Sequence, residues 1–170
     1  LSYFINSHPT VSTNHLKLQF NVDGIPLFKS SSLSLWPILC LIHNIGHKEP
    51  FVVGLFCGKV KPRSASEFLS DFVADLLTIL KEGLSINGKI YSFSLHSSVC
   101  DAPARAFIKG IKSHSGYASC EKCSVHGEHD GKVLFISTNS PLRTDDSFDQ
   151  RVDESHHVGI SCPLSPLPVG

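Results

Sequence analysis

The apolar residues of this chain change period twice between residues 15 and 113, and this constrains the fold more than any other feature. In HLKLQFNVD (15–23), Leu16, Leu18, Phe20 and Val22 alternate with Lys17, Gln19, Asn21 and Asp23, the period of a half-buried strand. Gly24 and Pro26 end it. Two more strand-like runs follow, LSLWPILCLI (33–42), interrupted by Pro37, and PFVVGLFCG (50–58). Short connections between successive strands favour an antiparallel meander. In SASEFLSDFVADLLTILKEG (64–83) the period becomes helical, with Phe68, Leu69, Phe72, Val73, Leu76, Leu77 and Leu80 on one face. Ser64 and Glu67 stand at capping-box spacing, and Gly83 suits the position just past the helix end. After an Asn87-Gly88 turn, KIYSFSLHSSV (89–99) alternates again through Tyr91, Phe93, Leu95 and Val99. APARAFIKGIK (102–112), with Pro103 in its first turn, reads as a second helix.

The expected order is strand, strand, strand, helix, strand, helix, which makes an α/β fold. A helix between the third and fourth strands lets the fourth return beside the first and parallel to it. The C-terminal ends of both strands then lie at one edge of the sheet. Asp23 ends the first strand and Asp101 follows the fourth. Two carboxylates converging there supply the oxygen ligands that a pair of divalent ions needs. Each acid also has a plain structural reading: Asp before Gly is a common turn pair, and Asp101 can cap the helix that holds Pro103. Taken with the element order, the two acids match the core of the ribonuclease H-like fold, in which acids on strands one and four bind catalytic metals.

Hydrophobic residues make up 41% of 170 residues, enough for a sizeable core in one domain with a small appendage. Lys plus Arg (15) balances Asp plus Glu (15), so any nucleic-acid surface must be a local patch or lie on further sequence. Arg105, Lys109 and Lys112 recur on the second helix and read equally as phosphate contacts or as a solvated basic face. Leu1 opens the sequence and no Met occurs in it, which reads as a piece of a longer protein. No leader resembles a signal peptide, and no apolar run reaches the ~18 residues of a membrane span. The loop GLSINGK (83–89) has the spacing of a phosphate-binding loop, but Ile90 stands where Ser or Thr is needed, and the loop runs from helix to strand, the wrong way round. Trp36 reads as core, and His43 and His47 as exposed residues flanking a turn.

Residues 1–14 read as a polar lead-in, 15–113 as the core, and 114–170 as a loop-rich insertion. The insertion holds CEKC, several His, a short strand at VLFIS and the acidic run DDSFDQRVDE. Of six cysteines, Cys40, Cys57 and Cys100 lie in apolar runs and read as buried thiols. Cys120 and Cys123 have the spacing of a structural zinc half-site. The other half is either local, from His126 and His129, or distal, from His156 and His157, with His126 or Cys162 able to complete the set. Bound zinc would explain how a polar segment folds without a large core.

The runs FNVDGIPLFKSSSLSLWPILCLI, PFVVGLFCG and FSLHSSVCDAPARAFIKGIKSHSGYASCEKC resemble the transposase of CACTA (En/Spm-like) cut-and-paste DNA elements. The resemblance extends from about His15 onward. It is most specific at VDG, at Ser32 to Pro37, at CDAPAR and at the CxxC. It implies a ribonuclease H-like mixed sheet with a C-terminal zinc-binding insertion, and Asp23 and Asp101 as the first two acids of a catalytic triad. Mg²⁺ or Mn²⁺ would be the catalytic ion. The reaction would be hydrolysis of DNA at element ends and joining of the freed 3′-hydroxyl to target DNA. The resemblance favours the distal zinc set, Cys120 and Cys123 with His156 and His157. It further implies transposon ends and target DNA as partners, self-association, a nuclear location, and neither a membrane nor a small-molecule substrate. The family's third acid lies in a helix downstream of the zinc segment that this chain does not reach. Asp145, Asp146, Asp153 and Glu154 read instead as solvated loop charges. The expectation is therefore a fragment of a transposase catalytic domain. The alternative is a domesticated or decayed remnant that binds DNA or protein without catalysis.

Overall fold

Strict alternation in the first strand places Leu16, Leu18, Phe20 and Val22 in the core, each at most 5% exposed. The structure, a computed structural model, describes Ile5 and residues 13–29, 32–46 and 48–168. The expected lead-in falls almost wholly outside the described residues, as does His47. β1 (His15–Val22), β3 (Ser34–Ile42) and β4 (Phe51–Gly58) form an antiparallel meander, with the short β2 (Ile25–Pro26) paired to the start of β3. α1 (Ala65–Glu82) then crosses over, β5 (Leu84–Ile86) and β6 (Lys89–Val99) form a hairpin, and β6 pairs parallel to β1. The sheet order is β4-β3-β1-β6-β5, with β2 beside β3. The molecule is thus a mixed α/β fold around a mixed, curled sheet.

The apolar stripe of α1 buries Leu69, Val73 and Leu76, and Phe68, Phe72, Leu77 and Leu80 pack partly buried around them. Ser64 caps the helix by accepting the Glu67 N–H at 3.2 Å, and the Gly83 N–H closes the other end on the Ile79 carbonyl. Asn87 and Gly88, both at positive φ, make the tight turn of the β5–β6 hairpin. That turn accounts for the phosphate-loop spacing. α2 (Ala102–Lys109) follows β6 directly and ends at Gly110 in the left-handed region.

β6 carries a bulge. Leu95 pairs with Leu18, but Ser97 pairs with Gln19, which leaves His96 as the extra residue. Past the bulge the alternation changes face, so Val99 pairs with the half-buried Asn21 and is exposed, whereas the sequence pattern groups it with Tyr91 and Phe93. The His96 ring stacks on His43 at a centroid distance of 3.8 Å.

Residues 114–170 hold a small hairpin of β7 (Glu128–Asp130) and β8 (Lys132–Leu134), a short α3 (Asp145–Asp149) and a 3-10 turn (Glu154–His156). The strand expected at VLFIS covers only its first two residues. The acidic run expected as loop contains α3, whose Thr144 and Ser147 cap each other reciprocally. The segment returns to the sheet: Leu167 is buried in the main core, Leu164 packs against it, and His157 bridges to Ile111. Among the described residues, no helix is long and apolar enough to cross a membrane. All six cysteines are free thiols. Cys40 is buried and Cys57 exposed, the latter contrary to its apolar sequence context. Burial pushes the Cys40 thiol up to about 12, which leaves it inert near neutral pH.

Candidate functional site

The parallel pairing of β1 and β6 ends at Asn21 and Val99, and the Asn21 amide donates to the Val99 carbonyl at 2.7 Å. Asp23 and Asp101 each follow this last pair by two residues, just outside the strands, so the register carried forward brings both acids to the same edge of the sheet. Adjacent strands run about 4.8 Å apart. The bulge at His96 sets this register: without the extra residue, Cys100 would stand opposite Asp23. Each acid also serves its own backbone. Asp23 Oδ1 accepts the Gly24 N–H at 2.7 Å, and Asp101 Oδ1 caps α2 by accepting the Ala104 N–H at 2.7 Å. One oxygen of each carboxylate is therefore held in place.

Trp36 braces this edge from below. Its ring packs so closely on Gly24 that a Cβ there would lie 2.7 Å from the indole. The same ring meets Phe107 of α2 edge-on at 5.5 Å. The glycine backbone following the first acid and the helix following the second thus rest on one indole. Trp36 is a partly buried member of the core cluster, as its sequence context predicts.

The basic residues of α2 are already engaged. Glu121, between the two cysteines of CEKC, takes Arg105 Nε at 2.7 Å and Lys109 Nζ at 2.8 Å. Burial opposes ionisation of Glu121, but these two cations outweigh it and lower its pKa. Arg105 and Lys109 therefore clamp the cysteine loop to α2. The sequence pattern offers no hint of this, because Glu121 has the spacing of a filler residue.

Cys120 Sγ and Cys123 Sγ lie 3.5 Å apart. Burial alone would raise the Cys120 pKa. Backbone N–H groups of Cys123 and Lys122, the Cys123 thiol and the Arg143 charge reverse that and lower it. Main-chain donors aimed at the first sulfur of a CxxC stabilise a thiolate, the form that binds metal. Arg143 organises the neighbourhood: its Nε donates to the Cys120 carbonyl at 2.9 Å and its Nη2 to Asp153 Oδ2 at 2.7 Å.

His156 is 1% exposed. Its Nδ1 lies 2.6 Å from the Ala118 carbonyl, two residues before Cys120. A carbonyl can only accept, so Nδ1 carries the proton and Nε2 holds a lone pair. Nε2 is buried and without a partner. Burial lowers the His156 pKa, so the ring is neutral at pH 7. A neutral imidazole with one nitrogen fixed to a carbonyl and the other bare is the usual state of a metal-ligating His. His157 is placed differently, with its ring against Phe148 at a 4.8 Å centroid distance. His126 Nε2 bonds Ser155 Oγ at 3.0 Å, next to His156, whereas His129 sits exposed in β7. Among the described residues, no three or more His, Cys, Asp or Glu side chains are grouped as a metal site. The donors Cys120, Cys123 and His156 fit zinc in chemistry, as two preorganised parts.

No protein-family model matches the chain, and no curated protein matches it.

Proposed function

We propose that this chain is part of the catalytic domain of a CACTA-like DNA transposase, ribonuclease H-like in fold, with Asp23 and Asp101 as two of its metal-binding acids. The observation that carries the reading is the parallel β1–β6 register, whose last pair, Asn21 and Val99, stands two residues before each acid. The strand order β4-β3-β1-β6-β5 with its helical crossover supports the same fold. Asp23 and Asp101 would be the carboxylates that hold Mg²⁺ or Mn²⁺, and such an ion would supply an activated water and charge stabilisation for a phosphodiester's leaving oxygen. The chain's own contribution is positional. The Gly24 and Ala104 N–H groups fix one oxygen of each acid, and Trp36 keeps the two carriers in register. Asp153 is committed to Arg143 and Ser155, so it does not serve as the third acid. DNA cleavage and strand transfer at element ends, nuclear location and self-association belong, in this reading, to the complete protein.

The cysteine loop fits a structural zinc in the same proposal. Cys120, Cys123 and His156 are its ligands, and His157 is a packing residue against Phe148.

The local roles of both acids, a turn and a helix cap, favour a second reading: a remnant that keeps the fold and binds DNA or protein without catalysis. Mn²⁺ titration followed by electron paramagnetic resonance separates the two. The transposase reading expects weak binding by the wild type, lost in Asp23→Asn and in Asp101→Asn. Equal binding by all three proteins, or none by the wild type, rejects the paired site.

A further inference from the structure

A cavity of about 550 Å³ lies between the first turns of α1 and residues 148–166. That size suits a small molecule. Leu69 and Val73 of α1 line it together with Phe148, Pro163 and Pro166, so much of the wall is apolar.

Three of its polar lining residues can hold an anion. Ser66 is the second residue of the 18-residue α1. Ser64 serves the Glu67 and Phe68 N–H groups, which leaves the Ala65 and Ser66 N–H groups with no carbonyl one turn back. Arg151 stands two residues past α3 at a φ of 54°, a conformation uncommon for any residue but Gly. Its Nη1 donates to the Ile160 carbonyl at 2.8 Å. That bond fixes the guanidinium and leaves Nε and Nη2, the side that grips a carboxylate with two parallel bonds, uncommitted among the described residues. His157 is 8% exposed, its ring lies against Phe148, and neither ring nitrogen has a hydrogen-bond partner among the described residues. A buried imidazole without a partner has given up its bonds to water, and a ligand oxygen restores one. The acid in the lining, Asp149, accepts the Ser165 hydroxyl at 2.9 Å and opposes an anion.

We propose that this cavity binds a small apolar carboxylate, an aromatic acid in chemical class. The carboxylate takes Nε and Nη2 of Arg151 and the free N–H groups of α1, and the His157 ring N–H closes on it. The apolar body lies on Leu69, Val73 and Phe148. The walls decide between this class and inorganic phosphate, which gains nothing from apolar surface and meets one guanidinium beside one carboxylate. The site depends neither on the acid pair nor on DNA.

The test titrates 2-naphthoate, neutral 2-naphthamide and inorganic phosphate into ¹⁵N-labelled protein and follows amide shifts. Naphthoate is expected to saturate and to shift Ser66, Arg151 and His157. Naphthamide is expected to bind about tenfold more weakly, and phosphate to leave these amides unmoved. Arg151→Gln is expected to weaken naphthoate about tenfold and to leave naphthamide unchanged, and Asp149→Asn to tighten naphthoate. Ser70→Trp fills the cavity from an exposed helix position, keeps every anion-binding group, and is expected to weaken both naphthalene probes. The spectrum of each variant confirms that it is folded. The proposal is overturned if naphthoate fails to saturate, if naphthamide binds as tightly, if the shifts fall elsewhere, or if binding survives Arg151→Gln or Ser70→Trp undiminished.

Discussion

At the scale of single residues, Gly24 is fixed by a neighbour and not by its own turn. An added Cβ would meet the Trp36 ring at 2.7 Å, inside any tolerable contact, so the indole or the strand must move. Overpacking of this kind costs about 1–3 kcal/mol. Gly24→Ala should lower stability to urea by that amount, and the loss should shrink in a Trp36→Phe background, where the smaller ring leaves room. Additive losses in the double variant would show that the two residues are uncoupled. The sequence displays both residues, but it cannot show that they touch, because no periodicity links a turn glycine to a side chain on the next strand. Leu16, Leu18, Phe20 and Val22 were legible for the opposite reason: their spacing alone decides which face they occupy.

At the scale of elements, legibility followed length. β1, α1 and β6 each span enough residues for a period to appear, and Ser64 and Gly83 mark the ends of α1 in sequence as in space. β5 has three residues and α3 has five with one apolar member, Phe148, so neither leaves a pattern. The bulge at His96 is likewise silent, yet it moves Val99 to the solvent face and shifts by one residue the register that leads to Asp101. The link between the cysteine loop and the 3-10 turn was hidden too, since Arg143 and Asp153 look like ordinary charges. Burial works against ionised Asp153, but hydrogen bonds from Ser155 and Arg143 and the Arg143 charge win, holding its pKa at about 2 against 3.8. A depressed carboxylate pKa adds stability above the unfolded value and loses it as pH falls through the folded one. Asp153→Asn should therefore destabilise the protein at pH 7 by on the order of 2 kcal/mol, less the part that solvent screens. The gap from wild type should close between about pH 4 and pH 2, as read by urea midpoints. A gap that persists at pH 2 would place the effect outside this ion pair.

At the scale of the whole molecule, two regions differ in what holds them. The sheet and α1 bury a continuous apolar cluster, whereas residues 114–166 add only Ala118 and Val125 as buried apolar residues, together with two buried His. Burying His156 with a bare Nε2 costs about 1–3 kcal/mol unless something takes the lone pair. Zinc on Cys120, Cys123 and His156 would remove that cost and fasten the segment. Purified protein should then carry about one zinc per chain, lost in Cys120→Ser and His156→Ala and kept in His157→Ala. Chelation should speed hydrogen exchange across residues 114–160 and leave β1 and β3 protected. Protein that purifies without zinc, or exchange that ignores the chelator, would refute this account.

Asn21 and Val99 lie 78 positions apart in the chain. A ribosome finishes β1, β3 and β4 well before it reaches β6, so one flank of β1 waits bare while the remainder is made. Contacts this distant in sequence close late, because the intervening loop must first surrender its freedom. Insertion of β6 covers the flank and draws Asp101 alongside Asp23 in a single event. A stalled or truncated chain would therefore be sticky and devoid of the acid pair together.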